Sequence, residues 1–420
     1  MRYSQTEIQF PSNFVWGTAT SAHQVDGGNT NNNWWEWTQR DGSTTLDAGI
    51  ACDHWNRFDD DFTILQMLNQ KAYRFSLEWS RIMPTCGVVS EEVIDHYHRV
   101  IAALRERSIE PFVTLHHFTE PLWFTKLGGI KHKLNVKFFK EYVDVVAREF
   151  SDEITFWNTI NEPNLRAACG YFQGIHPPGE KGLRNYIKAL RNLLRMHAEA
   201  YHILKQHAQH NVVGVVKNIT LIEPYRPRSR IDVVFSRLVD YLANEVTLRA
   251  LTTGKVPFSY MREYPGLKDS SDFIGLNYYT QAYCSPTIPK YMQVYKNEAD
   301  PAKLCTSLGW EAHPEGLLVA LKRVWKELHI PIYITENGIG TEDDAWRQEY
   351  IAQHLRQVYE AIRQGIPVKG YFYWSLLDNF EWAEGYSSRF GLVACDRRTL
   401  KRRIKKSGYW YGDIARNNHL

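Results

Sequence analysis

Short apolar or alternating runs recur along the 420-residue chain, with longer amphipathic stretches between them. The run Pro111-Phe112-Val113-Thr114-Leu115 is nearly continuous in apolar residues, which is typical of a strand covered on both faces of a parallel sheet. Runs of this kind predict eight strands. They cover residues 13–20, 72–79, 110–117, 154–162, 212–220, 272–280, 331–336 and 369–376.

The segments between these runs carry apolar residues at helical spacing, as Phe58, Phe62 and Leu65 do in the first segment. They predict helices over residues 53–69, 91–108, 135–150, 183–210, 232–253, 314–328 and 343–364. Strands and helices alternate, and no Pro-, Gly- or Ser-rich linker divides the chain. This pattern predicts an α/β fold, a single (β/α)8 barrel domain over residues 1–420, in preference to a two-domain doubly wound protein.

Three connections that follow predicted strands are long, at residues 25–52, 164–182 and 281–313. In a (β/α)8 barrel, the segments that follow the strands build the face that carries the active site. Aromatic side chains in these loops can stack on sugar rings or simply anchor the loops. They are Trp34, Trp35, Trp37, Tyr171, Phe172 and Tyr291.

Composition and charge narrow the class of partner. Hydrophobic residues make up 44% of the chain and charged residues 23%, as in an ordinary soluble globular protein. A net charge of +3 argues against a dedicated surface for nucleic acid or anionic lipid, so small neutral partners are favoured. No run of about 18 apolar residues predicts a membrane span, and the N-terminus lacks the apolar core of a signal peptide. The six cysteines stand singly, which predicts a reduced, cytoplasmic protein without a zinc knuckle or redox dithiol.

Two glutamates stand where a β-type run meets a turn signal: Glu162 in TINEP and Glu336 in ITENG. A buried ionised carboxylate costs several kcal/mol unless it is paired, so a role in chemistry is indicated, although each glutamate alone could be a solvated surface group. The predicted barrel places both at strand ends on one face, where two carboxyls suit glycosidic cleavage. The neighbouring Asn161 and Asn337 could bind a carboxylate or a sugar hydroxyl, or only form turns.

Other motifs predict no further chemistry. Residues 174–181 resemble a phosphate loop, but Glu180 interrupts the required Gly-Lys pair. His116 and His117 have no further ligand at metal spacing. The basic run at 401–406 is interpreted as a solvated face in preference to a nucleic-acid site.

Seven segments of the chain form a recognisable set. They are FVWGTATSAHQ at 14–24, YRFSLEWSRI at 73–82, LHHF at 115–118, TINEP at 159–163, DFIGLNYYT at 272–280, ITENG at 334–338 and WSLLDNFEW at 374–382. Together these segments resemble those of glycoside hydrolase family 1, the β-glucosidase-like enzymes. The resemblance runs in order through nearly the whole chain. It implies a retaining, double-displacement β-glycosidase that requires neither a cofactor nor a metal.

The resemblance assigns roles to particular residues. Glu162 looks like the general acid/base and Glu336 like the nucleophile, with carboxyls roughly 5–5.5 Å apart. Arg74 and Tyr279 are expected to donate hydrogen bonds to Glu336. The sugar-binding positions of the family correspond to Gln24, His117, Asn161, Asn277, Trp374, Glu381 and Trp382, with Trp374 as a stacking floor. Phe390 is a further candidate for the same pocket, and ordinary loop packing is its alternative.

Three positions depart from the family pattern and are expected to affect the pocket rim: Asp26, Phe118 and the run 119–121. An anionic Glu381 is expected to repel the phosphate of a phosphoglycoside, and the presence of Glu162 separates the chain from thioglucoside-cleaving relatives. The expected substrates are β-glycosides or short oligosaccharides that end in β-D-glucose, with β-galactosides or β-fucosides as further possibilities. A mainly transglycosylating enzyme and a non-catalytic sugar-binding barrel stay open as alternatives, and the sequence does not predict the oligomeric state.

Overall fold

A closed barrel of eight parallel strands lies at the centre of the computed structural model, which describes residues 8–256, 263–287 and 305–420. Each strand pairs with its neighbours in chain order, and β1 closes the barrel by pairing with both β2 and β8. The strands are β1 (Val15–Ala19), β2 (Ala72–Ser76), β3 (Glu110–His116), β4 (Phe156–Asn161), β5 (Val212–Asn218), β6 (Phe273–Asn277), β7 (Ile332–Asn337) and β8 (Val368–Trp374). The predicted (β/α)8 fold and all eight predicted strands are confirmed. The single domain over residues 1–420 stays a prediction.

Helices surround the barrel and bury one apolar face each against it. In the third helix, Phe139, Tyr142 and Val146 recur at helical spacing and are fully buried. The helices are α1 (His54–Met67), α2 (Glu91–Glu106), α3 (Val136–Phe150), α4 (Leu183–His207), α5 (Val246–Thr253), α6 (Pro314–Leu328), α7 (Asp344–Arg363) and α8 (Lys406–Asn417). Within the described ranges, no helix is long and apolar enough to cross a membrane.

The sequence pattern misses several smaller elements on the strand-end face and near the C-terminus. The predicted helix over 232–253 is divided into Arg230–Asp240, a π-helical turn Tyr241–Glu245 and α5. Two short sheets pair Leu221–Pro224 with Gln281–Cys284 and Val393–Cys395 with Arg402–Ile404. The loops also contain the short helices Ala22–Val25, Asn33–Thr38, Trp79–Ile82, Leu122–Lys126 and Pro163–Ala167, the π-helix Ala168–Gln173, and the 3₁₀ turns Lys133–Asn135 and Trp382–Glu384.

The basic run at 401–406 is not simply a solvated face, so that interpretation is wrong for two of its members. The Arg402 guanidinium donates to both carboxylate oxygens of the buried Asp61, at 2.8 and 3.0 Å. Lys405 Nζ lies 2.9 Å from Asp378 Oδ1. The short strand Arg402–Ile404 turns these cations inward, where they hold the C-terminal segment against the barrel.

Aromatic side chains fill the barrel interior next to the functional end. The Phe112 ring stacks on Phe156 at 4.3 Å between centroids and contacts Phe372 at 4.7 Å and Tyr333 at 5.3 Å. Phe112 pairs in register with Arg74 of β2, so the two residues lie at the same level of the barrel. Close packing here fixes the spacing between strands that carry the site.

Replacing Phe112 with alanine is expected to lower the free energy of unfolding by about 3–5 kcal/mol, because a fully buried ring leaves a cavity that the closed barrel cannot collapse to fill. Urea unfolding followed by tryptophan fluorescence measures the change. Val319→Ala on α6, where the side chain is 50% exposed, is the control and should change stability by less than about 0.5 kcal/mol. Equal effects of the two substitutions would contradict the packing assignment.

Candidate active site

Glu336 is held at the end of β7 by two donors. Arg74 Nη1 lies 2.5 Å from Glu336 Oε1, and the Tyr279 hydroxyl donates to Oε2 at 2.7 Å. The Arg74 side chain is completely buried, so its charge acts in a poorly solvated environment. A cation and a hydroxyl donor both favour the ionised carboxylate and fix its orientation. Both expected contacts to Glu336 are present.

Glu162 follows β4 directly and lies in a different environment. Its backbone has the left-handed φ of 48°, and Pro163 begins a short helix immediately after it. One oxygen of the carboxyl accepts a hydrogen bond from Asn277 Nδ2 at 2.7 Å. Burial, together with the charge of Glu336, raises the pKa of Glu162 to about 8, although Asn277, Lys217 and Arg74 oppose the shift. The carboxyl of Glu162 can therefore hold a proton at neutral pH.

A chain of side-chain hydrogen bonds joins the two glutamates. Arg74 Nη2 donates to Asn161 Oδ1 at 2.7 Å, and Asn277 Nδ2 also lies 3.3 Å from that oxygen. Thr335 Oγ1 donates to Asn277 Oδ1 at 2.7 Å, which turns the amide nitrogen of Asn277 toward Glu162. This connection fixes the relative placement of the two carboxyls. The separation expected between them stays a prediction.

Gln24 and Glu381 form a polar wall of the same pocket. Gln24 Nε2 donates to the Phe380 carbonyl at 2.7 Å and lies 3.4 Å from Glu381 Oε2. Burial and the nearby charge of Glu336 raise the pKa of Glu381 to about 8, while a hydrogen bond from Trp374 lowers it. Below that pH Glu381 carries a proton, so it can both donate and accept hydrogen bonds.

Three aromatic rings form a second wall. The His117 ring stacks near-parallel to Trp374 at 6.0 Å and to Trp382 at 6.1 Å between centroids. His117 Nε2 is 3.2 Å from Asn161 Nδ2, and the buried Nδ1 has no hydrogen-bond partner among the described residues. Burial, aided by Arg74, holds the pKa of His117 well below its usual range, so the ring is neutral.

The structure thus brings together all eleven residues that the sequence proposed for the site. Asn337 is different, because its amide donates to the Tyr278 carbonyl at 2.7 Å and accepts from Tyr371, away from the pocket. The turn-forming interpretation of Asn337 is closer to the structure. Phe390 packs on Tyr279 at 6.2 Å between centroids, so both its pocket and its packing interpretations apply.

The aromatic side chains of the three long loops differ in burial. Trp34 is buried and packs on Trp382 at 4.7 Å between centroids, and Tyr171 is buried as well, so these two anchor their loops. Phe172 is 39% exposed and is available at the surface. Trp35 and Trp37 are intermediate in burial. Tyr291 lies outside the described residues.

The departures from the family pattern have different consequences. Phe118 packs on Trp382 at 5.2 Å between centroids and so supports the aromatic wall. Glu120 does not face the rim: its carboxylate accepts from Arg166 at 2.7 and 3.0 Å and from Asn33 at 2.7 Å, and it pairs with His116 at 2.8 Å. His116 is therefore a structural residue, and no cluster of metal-ligating side chains occurs in the described ranges.

Sequence reasoning missed several supporting residues that contact the site residues. Ser21 Oγ donates to Gln24 Oε1 at 2.6 Å, and Asn379 Oδ1 lies 3.2 Å from Gln24 Nε2, so both orient that amide. His23 stacks on Trp382 at 5.9 Å between centroids. Each of these residues, like Thr335, lies inside one of the seven segments that resemble the family. Membership of such a segment was the signal that could have identified them. Their roles depend on contacts between distant segments, which periodicity does not encode.

Glu336→Gln is expected to lower the pKa of Glu162 by about one unit or more, because it removes a nearby negative charge from a poorly solvated pocket. Carbon-13 NMR titration of labelled glutamate, assigned with Glu162→Gln, measures the pKa. Glu342→Gln, which changes an exposed glutamate paired with Arg389, is the matched control and should leave it unchanged. An unchanged or higher pKa in Glu336→Gln would contradict the coupling of the two carboxyls.

Comparison with known proteins identifies the family. The profile described as Glycosyl hydrolase family 1 matches residues 6–420. β-Glucosidase A of Thermotoga maritima is 37% identical over 443 aligned residues, which cover 98% of this chain and 99% of that protein. Among solved structures, the β-glycosidase from Pyrococcus horikoshii has a TM-score of 0.90 at 39% identity and covers 99% of this chain and 96% of that one. The β-glucosidase from Thermotoga maritima in complex with glucoimidazole has a TM-score of 0.90 at 35% identity, covering 98% and 100%. The chain belongs to glycosyl hydrolase family 1.

Proposed function

We propose that the protein is a retaining β-glucosidase in which Glu336 is the nucleophile and Glu162 the general acid/base. The observation that carries this proposal is the unequal setting of two buried carboxyls in one pocket. Glu336 accepts from Arg74 and Tyr279, whereas Glu162 accepts one amide hydrogen bond and has a raised pKa. One group is thus prepared to attack as an anion and the other to donate a proton.

In the first step, a Glu336 oxygen attacks the anomeric carbon of a β-glycoside while Glu162 transfers its proton to the glycosidic oxygen. The bond between carbon and that oxygen breaks, the aglycone leaves as an alcohol, and the sugar becomes an ester of Glu336. One oxygen of Glu336 accepts a hydrogen bond from Arg74 and the other accepts one from Tyr279. Each oxygen can therefore keep a donor while the carboxylate loses its charge. These donors hold the carboxylate in place for attack.

In the second step, Glu162 acts as a base. Once Glu336 is esterified, its negative charge is gone, so the main electrostatic cause that raises the pKa of Glu162 disappears. Ionised Glu162 then takes a proton from water, whose oxygen attacks the anomeric carbon and releases Glu336. The product sugar keeps the β configuration.

The pocket walls favour a neutral terminal sugar. Gln24 and Glu381 can bind adjacent hydroxyls, and Trp374, stacked near His117, offers an aromatic face. Glu381 holds a proton below about pH 8, so a fixed charge on Glu381 alone does not exclude phosphoglycosides. However, the nearby Glu336 carboxylate also acts on Glu381, and its negative charge disfavours a phosphate dianion in the pocket.

We further propose that residues 1–420 act as one domain in a reducing, cytoplasmic setting. All six cysteines lie in the described part of the chain and none forms a disulfide, which is in keeping with that setting. The location is tested by immunodetection after cell fractionation. Recovery with a cytoplasmic marker supports the proposal, and recovery outside the cell contradicts it.

Wild-type protein is expected to hydrolyse p-nitrophenyl β-D-glucoside, with β-galactoside and β-fucoside as further substrates of the same panel. Glu336→Ala should lose activity by several orders of magnitude, because no other group can form the covalent intermediate. Glu342→Ala is the control for an exposed glutamate and should retain activity. Tight glucose binding without turnover of any glycoside would favour the non-catalytic barrel instead, and sugar-transfer products at high acceptor concentration would identify a transglycosylase.

Azide distinguishes the two glutamates. In Glu336→Gly it should restore turnover of an activated glucoside and form the α-glucosyl azide, because azide then attacks from the face of the missing nucleophile. In Glu162→Gly it should form the β-glucosyl azide from the covalent intermediate. NMR of the products reads the anomeric configuration. The opposite pair of configurations would reverse the assignment.

The pH dependence of kcat/KM should report the proton on Glu162. Activity is expected to fall as pH rises through about 8, because the acid must be protonated for the first step. Measurement with methyl umbelliferyl β-glucoside over pH 5–10 at constant ionic strength gives the alkaline limb. The Glu162→Gln variant should lack the alkaline limb. If the variant shows the same alkaline limb as the wild type, the limb belongs to another group.

A further inference from the structure

Lys217 is a buried cation in a strand that is otherwise apolar at its outward-facing positions. Strand β5 reads VVGVVKN, and its outward residues Val213 and Val215 belong to the core between barrel and helices. Lys217 continues that face and is itself 0% exposed. Lysine is rarely buried completely without a charged partner, because its ammonium loses hydration. The complete burial of Lys217 therefore needs a physical explanation.

The contacts of Lys217 place it beside the turn that carries Glu162. Its ammonium donates to the carbonyls of Asn218 and Ala243, the latter at 3.0 Å. The Ala243 carbonyl also accepts from Asn164 Nδ2 at 2.9 Å, and Asn164 is two residues after Glu162. The backbone N–H of Glu162 donates to the Val216 carbonyl at 2.9 Å. No ion pair closer than 4.0 Å involves Lys217 in the described ranges.

Among the charged groups near Lys217, Glu162 is the carboxyl that affects it most. Burial lowers the pKa of Lys217 to about 7, and Glu162 opposes that shift more than any other group. Asp240 of the neighbouring helix also faces Lys217, but Arg323 of α6 neutralises it at 2.6 Å and pairs with Glu245 too. Around Glu162 itself lie Glu336, Arg74 and Tyr279, and the buried Cys169 and Glu381.

We propose that Lys217 is a positioning residue whose charge favours the ionised form of Glu162, and that it assists the step in which Glu162 acts as a base. This inference rests on the proposed function of Glu162. Arg74 is bound to Glu336 and Asn161, so it is committed to the nucleophile. Lys217 approaches the acid/base from the other side of the barrel wall, where it binds only carbonyl oxygens among the described residues.

The effect differs between the two chemical steps. Before glycosylation, the charge of Glu336 outweighs Lys217 and Glu162 keeps its proton. After glycosylation that charge is absent, and the ammonium of Lys217 favours release of the proton. Below a pH of about 7 Lys217 is charged, and above it the charge is progressively lost. Lys217 therefore acts most strongly at the acid end of the pH–rate profile, where Glu162 would otherwise take up a proton and could not act as a base.

Two substitutions separate charge from hydrogen bonding. Lys217→Gln removes the charge and keeps an amide donor for the two carbonyls, while Lys217→Met removes both. In each variant, the acid limb of kcat for 2,4-dinitrophenyl β-glucoside, whose hydrolysis is limited by the second step, should move up by about one pH unit. The alkaline limb of kcat/KM, near pH 8, should stay nearly unchanged, because most of the ammonium has already lost its charge there.

The outcomes are distinct. An upward shift of the acid limb in both variants, with the alkaline limb nearly in place, supports the proposal. A shift of the acid limb in Lys217→Met alone assigns the effect to the lost hydrogen bonds and overturns it, as does an unchanged acid limb in folded variants. If Lys217→Met does not fold by circular dichroism, Lys217→Gln decides by itself, with carbon-13 titration of Glu162 in Glu336→Gln as a readout independent of turnover. Failure of the proposed function would instead appear as a wild type without hydrolysis or without a limb that depends on Glu162.

Discussion

The site depends on placing two carboxyls, Glu162 and Glu336, in one pocket where neither is well hydrated. Two like charges in such a place repel each other, so both cannot be ionised without compensation. The protein resolves the conflict by pairing Arg74 with Glu336, while the raised pKa of Glu162 favours the protonated form of that carboxyl. Most of the other polar contacts in the pocket follow from this division.

The division is maintained by groups that do not touch a sugar. Thr335 sets the orientation of Asn277, and Asn277 in turn contacts Glu162. Asn161 connects that amide to Arg74. Because each of these side chains comes from a different strand end, the closed barrel is what makes the network possible. A small displacement of one strand would change the hydrogen bonds, and with them the balance of charge between the two glutamates.

Two buried arginines, Arg166 in an ion pair and Arg347 through backbone carbonyls, hold the loops around this network. The Glu120 and Arg166 pair fastens the segment after β3 to the segment after β4. Arg347 of α7 donates to the carbonyls of Ile339 and Phe390, so it joins the loop after β7 to the loop after β8. Such pairs add specificity of placement more than net stability, because each charge must first lose its hydration. They keep the aromatic walls, including Trp382, in position around the pocket.

The sequence alone determined the order and kind of the main elements. Apolar strands and amphipathic helices each have a characteristic spacing of apolar residues, and that spacing can be recognised from residues close together in the chain. Its motifs also determined which side chains stand at strand ends, including Glu162 and Glu336. Only the tertiary structure decided that Asn337 turns away from the pocket, that Glu120 and Arg402 are buried in ion pairs, and that Lys217 lies beside the turn that carries Glu162. Burial, pairing and electrostatic shift depend on contacts between segments far apart in the chain, and local periodicity carries no information about them.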